Sequence, residues 1–210
     1  MEKTNKTQLY QILTGVFIAC LLISNILAAK TFTIGSVVLP TAVIIFPLVY
    51  IVNDVLAEIY GFKKTRAIIF LGFALNALAV LAYSVAILLP APEFATEGAA
   101  AFALTLGSTW RVLLASFAAY LVGSIANAKV MEVMKAHNGE KLLMARCIFS
   151  TLIGEGLDAL IFISIAFYGT MPLSSLLVMI AAQAIFKTLY EVVVFPVTGA
   201  VIKAVRRLPE

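Results

Sequence analysis

Two pairs of carboxylates lie inside segments that are otherwise apolar enough to cross a membrane. Asp54 and Glu58 are four residues apart in the second such segment, and Glu155 and Asp158 are three residues apart in the fifth. On an α-helix, either spacing places both acids of a pair on one face. A charged side chain near the bilayer centre costs roughly 2.5 to 3.5 kcal/mol on insertion scales, so such groups usually face a cavity or a partner. These four acids are therefore candidates for binding an ion or a polar ligand.

A lysine in the sixth apolar segment accompanies the acids. Lys187 lies at a depth comparable to that of Asp158, with Gln183 one turn before it and Glu191 one turn after it. One lysine cannot neutralise all of the intramembrane acids, so the excess must be protonated, hydrated, or matched by a cation or a donor-rich ligand. A purely structural ion pair between Lys187 and one acid is the alternative interpretation.

Further polar and aromatic side chains flank the carboxylates. They are Asn53, Phe46, Tyr50, Phe162, Phe186 and Tyr190. Aromatic faces together with convergent polar groups favour a flat heterocyclic ligand. For each aromatic residue alone, packing between helices is the alternative explanation.

Six apolar stretches are long enough to span a hydrocarbon core of about 30 Å, which takes around 20 helical residues. The chain is 62% hydrophobic and 12% charged, whereas charged residues make up about a quarter of a soluble protein. The sequence therefore predicts an all-α integral membrane protein, a single six-helix transmembrane domain over residues 1–210. The predicted helices cover residues 9–29, 37–60, 67–89, 110–131, 148–168 and 173–201.

The charges of the short connections predict the orientation. Residues 61–66 and 132–146 are rich in Lys and Arg, whereas residues 90–108 carry only Glu93 and Glu97. The positive-inside rule then places both basic connections and both termini in the cytoplasm. Three helices followed by three also allow two halves of inverted topology, a common transporter arrangement. Superposition of residues 1–106 on residues 107–210 would test this hypothesis.

Several classes of function are disfavoured. The chain contains no phosphate-binding loop, no zinc-protease helix and no nucleophile elbow. Cys20 and Cys147 lack the nearby partners of a metal site, and the basic residues lie beside apolar segments rather than in a nucleic-acid-binding domain. We therefore expect no enzyme activity, no cofactor, no metal and no nucleic-acid partner.

Small residues recur at every fourth position of the fourth apolar segment. They are Ala115, Ala119 and Gly123, followed by Asn127. Small residues at this spacing let two helices approach closely. The stripe fits packing within the chain, a homodimer interface or a docking face for a partner subunit, and the sequence does not choose among them.

Five runs of residues carry a resemblance to a known family. Two of them are Asn25-Ile26-Leu27-Ala28-Ala29-Lys30 and Ala115-Ser116-Phe117-Ala118-Ala119-Tyr120. The other three contain most of the candidate site residues. They are Phe46-Pro47-Leu48-Val49-Tyr50 leading to Asn53-Asp54-Val55-Leu56-Ala57-Glu58-Ile59-Tyr60-Gly61, then Ser150-Thr151-Leu152-Ile153-Gly154-Glu155-Gly156-Leu157-Asp158-Ala159-Leu160-Ile161-Phe162, and Lys187-Thr188-Leu189-Tyr190-Glu191. These runs resemble the YhhQ-like queuosine-precursor transporters, also called the VUT family. The resemblance implies a six-helix importer, in the bacterial or archaeal cytoplasmic (inner) membrane, of the 7-cyano and 7-aminomethyl forms of 7-deazaguanine.

A guanine-like base fits the polar residues already singled out. Its ring N–H and exocyclic amine lie side by side, and one carboxylate can accept from both. We expect Asp54 and Asp158 to hold this edge in a central cavity lined by the second, fifth and sixth helices. Asn53 or Gln183 would bind the ring carbonyl, and a second carboxylate would meet the ammonium of the aminomethyl form.

Two other classes of function remain open at this point. One is the substrate-binding subunit of an energy-coupling-factor vitamin transporter, which needs partner ATPase subunits. The other is a membrane-embedded enzyme or an ion channel that uses the acid pairs. Uptake by the purified chain alone in liposomes would exclude the first.

Overall fold

The computed structural model describes residues 6–138 and 143–206. Helices dominate, and one short β-hairpin follows the first helix. The helices are α1 (Lys6–Leu27), α2 (Phe46–Tyr60), α3 (Phe62–Leu88), α4 (Thr96–Leu106), α5 (Thr109–Asn138), α6 (Leu143–Phe167) and α7 (Leu173–Arg206), and the strands are β1 (Thr31–Ile34) and β2 (Val37–Pro40).

Five helical stretches of the described chain are long and apolar enough to cross a membrane. They are Lys6–Leu27, Lys63–Leu88, Glu93–Asn127, Phe149–Phe167 and Leu173–Val194. Many large apolar side chains, such as Leu78, Leu81 and Ile125, are exposed on them. A helix that presents such residues outward is stable in lipid, where every backbone polar group is satisfied within the helix. The prediction of a helical, multi-pass membrane protein is confirmed, whereas the count of six spans stays a prediction.

The second predicted helix begins later than the sequence suggested. Residues 37–60 were expected to form one span, but Val37–Pro40 forms β2, Thr41–Ile44 is a 3₁₀ turn, and α2 covers only the last 15 residues. Fifteen residues extend about 22 Å, less than the thickness of a bilayer core. Hydrophobicity alone does not separate a buried strand from a helix, which is why this boundary was wrong.

The hairpin has a local cause in the sequence. Strands rich in Thr, Val and Ile favour extended backbone, and Ile34 pairs with Val37 across a two-residue turn. Gly35 in that turn has φ +61°, a conformation that glycine adopts without strain. After the hairpin, the backbone N–H of Thr41 donates to the carbonyl of Lys30 at 2.8 Å.

A short helix lies where a plain connection was expected. Residues 90–108 were interpreted as a loop, but α4 occupies Thr96–Leu106. Its alanines are strong helix formers, although 11 residues are too few to span a membrane alone. The connection between the third and fourth predicted spans is therefore partly helical.

The described chain divides into two compact units. The first comprises the residues up to Lys30, Thr41–Thr109 and the chain from Val193 onward. In it α1 and α3 pack closely at Gly72, where an added Cβ would lie 3.0 Å from Leu21 Cδ2. At the Gly61 turn between α2 and α3, the hydroxyl of Tyr60 donates to the carbonyl of Lys6 at 2.7 Å.

The second unit comprises Thr31–Pro40 and Trp110–Val192. It contains the β1–β2 hairpin, α5 from Trp110 onward, α6, and α7 as far as Val192. The guanidinium of Arg111 donates from Nε to the carbonyl of Ile165 and from Nη2 to the carbonyl of Tyr168 at 2.6 Å. These carbonyls lie at the C-terminal end of α6, where a cation is favourable. Arg111 therefore fastens the start of α5 to the end of α6.

Candidate functional site

Three charged side chains of the second unit, Lys187, Glu155 and Asp158, meet between α6 and α7 and form an acid cluster. The ammonium of Lys187 forms an ion pair with Asp158 Oδ2 and a second ion pair with Glu155 Oε2 at 3.1 Å. The whole lysine residue is only 6% exposed. Lys187 is thus ion-paired with both acids rather than with one, and the structural interpretation of this pairing stays an alternative.

These residues lie deep in the apolar part of their helices. Asp158 is the tenth residue of the 19-residue stretch Phe149–Phe167, and Lys187 lies inside Leu173–Val194. An unpaired charge at such a depth is strongly disfavoured, and a hydrogen-bonded pair offsets much of that cost. With all three groups ionised, two carboxylates and one ammonium leave one negative charge in excess. The cluster therefore has the charge to bind a cationic group and the acceptor atoms to bind N–H donors.

Close packing of α5 on α6 sets the position of Asp158. A Cβ added at Gly123 would lie 3.0 Å from Asp158 Cβ and 3.0 Å from the carbonyl oxygen of Gly154. A Cβ added at Gly154 would lie 2.9 Å from Asn127 Cβ. The helices are therefore antiparallel here, with Gly123 opposite Asp158 and Asn127 opposite Gly154.

The small-residue stripe of α5 makes packing contacts inside the chain. Ala115 and Ala119 are buried, and Gly123 contacts α6 directly. This corresponds to the first of the three alternatives drawn from the sequence. A homodimer or a partner subunit on the face of Ala115, Ala119 and Gly123 stays a prediction.

Gln183 adds a polar group to the same face of α7 as Lys187, one turn earlier. The residue is 3% exposed, and its Oε1 accepts no hydrogen bond from any described residue. A buried acceptor without a donor costs about 1 to 3 kcal/mol. A ligand with an N–H donor, or an ordered water, would supply the missing hydrogen bond.

The predicted aromatic residues have different surroundings. Phe162, one turn beyond Asp158, is buried and packs edge-to-face on Phe167 with ring centroids 6.1 Å apart. Phe186 and Tyr190 of α7 stack at 6.3 Å, and Phe186 is partly exposed. Phe162 is therefore the aromatic residue whose sequence position and burial best match the acid cluster.

The remaining predicted site residues belong to α2, in the first unit. The side chains of Asp54, Glu58 and Tyr50, like that of Glu191 on α7, lie outside the described part of the structure. Phe46 is half-buried, and Asn53 has a buried Oδ1 that accepts no hydrogen bond from described residues. The roles predicted for these residues stay predictions.

Asn76 is a buried polar residue that was missed at the level of the sequence. Asn76 lies near the middle of α3, is buried, and its Nδ2 donates to no described residue. The signal for it in the sequence was that Asn76 is the single amide within the 26-residue candidate span Lys63–Leu88. Arg111 was also missed, because nothing in the sequence connects it with carbonyls 54 and 57 positions later.

Comparison with known proteins identifies one family. The family model described as "Putative vitamin uptake transporter" matches residues 40–201, about three quarters of the chain. The matched region contains the whole acid cluster, Gln183 and the glycines of the α5–α6 contact. No curated protein and no solved structure matches the chain significantly.

Proposed function

This chain belongs to the vitamin uptake transporter family, and from that premise we propose that it imports 7-cyano-7-deazaguanine and 7-aminomethyl-7-deazaguanine, the precursors of queuosine. The family is a class of transporters rather than of enzymes. The precursor specificity is our proposal, and it rests on the chemistry of the acid cluster together with the motifs of the sequence.

One observation carries the proposal: Lys187 lies between Glu155 and Asp158 at mid-span. A purely structural pair needs one acid for one lysine. When all three groups are ionised, they carry together one more negative than positive charge, and a ligand with several N–H donors or a cationic group can match it.

The edge of a deazaguanine base supplies such donors. Its ring N–H and exocyclic amine are adjacent, so Asp158 can accept from both with its two oxygens, in the way that a carboxylate accepts the fork of an arginine. Gln183 Oε1, buried and without a donor among the described residues, accepts a further N–H of the ligand. Glu155 then serves the ammonium of the aminomethyl form, and the buried ring of Phe162 supplies an apolar wall.

On α2 we retain Asp54 as a second carboxylate required for uptake. Its sequence context, four residues before Glu58 and next to Asn53, supports this role. The argument for the acid cluster of α6 and α7 does not depend on it. Asp54→Asn is therefore assayed separately from Asp158→Asn.

Uptake in a strain unable to synthesise the precursors tests the proposal. The wild-type chain should restore queuosine in tRNA when either deazaguanine is supplied, and Asp158→Asn should abolish this at equal protein level. Glu97→Gln, at an acid of the α3–α5 connection, is the matched control and should import normally. Import by Asp158→Asn at the wild-type rate contradicts the site.

Reconstitution of the purified chain in liposomes tests whether it acts alone. We expect uptake of the deazaguanine without ATP and without a partner protein. Uptake that appears only after addition of an ATPase complex would show instead that the chain is a binding subunit.

A further inference from the structure

The contact between Gly123 and Asp158 links the packing of two helices to the geometry of the acid cluster. Gly123 lies on α5. A Cβ added to it would lie 3.0 Å from Asp158 Cβ and 3.6 Å from Asp158 Cα. Real Cβ atoms are rarely this close to other heavy atoms. Any side chain at position 123 therefore requires α6 to move at Asp158 itself.

The backbone of α6 has little space in which to move away from a Cβ at position 123. The same position on Gly123 is 3.0 Å from the backbone oxygen of Gly154, one turn earlier on α6. Both contacts are with atoms at or close to the backbone, which cannot rotate away as the end of a flexible side chain can. Interiors are close-packed and transmit such displacements to their neighbours.

A displacement of α6 at Asp158 would also change the ion pair between Asp158 and Lys187. Asp158 extends from this contact to Lys187 on α7, where its Oδ2 meets the ammonium, while Glu155 meets the same ammonium from one turn earlier. A shift of Asp158 by a few tenths of an ångström would thus change one of the two ion pairs. Binding sites need their groups held within about 0.5 Å of the productive geometry.

We propose that Gly123 is a positioning residue for Asp158: its lack of a side chain lets α6 approach α5 closely enough to hold the Asp158 carboxylate against Lys187. It acts through Asp158 and does not itself touch the substrate. The effect on substrate binding rests on the function proposed above, whereas the effect on the ion pair does not.

The chain provides a matched control glycine on α6, the helix that carries Asp158. Gly156 lies on α6 two residues before Asp158, and no heavy atom lies within 4 Å of its missing Cβ. Gly156→Ala adds the same methyl group to α6, next to the acids, without a collision. A difference between Gly123→Ala and Gly156→Ala therefore reflects the contact and not the loss of glycine.

A double-mutant cycle on the purified full-length chain tests the ion-pair part without a ligand. Thermal unfolding is measured for the wild type, Gly123→Ala, Asp158→Asn and the double variant. Asn keeps the shape of Asp and hence the collision, but removes the charge. We expect Gly123→Ala to lower the unfolding temperature clearly in the wild type and by less in the Asp158→Asn background, because coupled residues are non-additive.

Additive losses in this cycle would overturn the proposal, since they would mean that Gly123 contributes packing alone. If Gly123→Ala yields no folded protein, recovery of folded protein by the added Asp158→Asn supports the proposal. Failure of both variants to fold overturns it.

Calorimetric titration with 7-aminomethyl-7-deazaguanine tests the consequence for binding. Gly123→Ala should weaken the affinity by roughly tenfold, because binding groups must be held within about 0.5 Å of their productive geometry. Gly156→Ala should bind within about twofold of the wild type. Equal affinity in all three proteins would overturn the positioning role, whereas a wild type that does not bind the base contradicts only the proposed substrate, because the cycle still decides the role of Gly123.

Discussion

Lys187 and Asp158, 29 positions apart in the sequence, form an ion pair between α7 and α6 in the middle of the apolar stretch of α6. The same ammonium contacts Glu155 at 3.1 Å. This shared lysine makes the three side chains one charged unit with a net negative charge when all are ionised. The expected effects of substitution follow from that arrangement.

Replacing Lys187 by methionine should destabilise the protein strongly. Removing one partner of a buried ion pair leaves an uncompensated charge, which costs about 3 to 5 kcal/mol. Thermal unfolding of the purified protein in detergent measures the loss. Lys63→Met, at an exposed lysine beside the Gly61 turn, should change stability by no more than about 0.5 kcal/mol.

Removing both acids together with the lysine should restore stability. The variant Lys187→Met/Asp158→Asn/Glu155→Gln has no charge left in the cluster, and uncharged replacements of buried ion pairs are often neutral or stabilising. An unfolding temperature as low as that of Lys187→Met alone would show that the lysine stabilises the fold by packing rather than by charge.

Glu155→Gln should affect the two deazaguanines unequally. The substitution changes the net charge of the cluster from negative to zero. The electrostatic attraction between the cluster and the ammonium of the aminomethyl form is therefore lost, whereas the neutral cyano form has no such attraction to lose. We expect the affinity ratio between the aminomethyl and cyano forms to fall by about tenfold, which corresponds to about 1.4 kcal/mol. Competition between the two bases in the binding assay measures this ratio, and an unchanged ratio would place the ammonium away from the cluster.

Gln183→Met should separate stability from binding. Methionine fills a similar volume and removes the buried Oε1, which has no donor among the described residues, so the free energy of unfolding should stay equal or rise. Affinity for the base should fall by roughly tenfold, because one hydrogen bond to the ligand is lost. The exposed Gln11→Met serves as control and should change neither quantity. Lower stability with unchanged affinity would assign Gln183 to the fold.

Arg111→Ala should loosen the end of α6. The guanidinium donates to two carbonyls there, and hydrogen bonds from charged groups contribute about 1.5 to 3 kcal/mol each. Because Arg111 is partly exposed, we expect a total loss of about 2 kcal/mol, measured by thermal unfolding. Arg111→Lys should retain part of that stability. A stability equal to wild type in Arg111→Ala would contradict a stabilising role of the two hydrogen bonds.

Much of the fold was predictable because apolar length is a strong signal. The helices α3, α6 and α7 begin within about five residues of their predicted starts. The residues before α2 were wrongly predicted because Val37–Pro40 is apolar whether it is helical or extended, and only pairing with Thr31–Ile34 decides. That pairing depends on contacts that periodicity does not report.

The charged cluster of α6 and α7 was predictable in its residue types but not in its geometry. The sequence identifies Asp158, Glu155 and Lys187 because charges are rare in apolar segments. It does not reveal that one ammonium contacts both acids, or that Gly123 lies against Asp158, because both facts depend on how α5, α6 and α7 pack.

Ligand-dependent thermal stabilisation of the purified protein tests the central claim most directly. Wild type and Asp158→Asn are each heated with 7-aminomethyl-7-deazaguanine, 7-cyano-7-deazaguanine, guanine or an unrelated vitamin. At a ligand concentration 100 times the dissociation constant, binding stabilises a protein by about 2.7 kcal/mol. We predict that both deazaguanines raise the unfolding temperature of the wild type, that Asp158→Asn responds weakly or not at all, and that the vitamin has no effect. Stabilisation by the vitamin alone, or equal stabilisation of both proteins by the deazaguanines, would contradict the account.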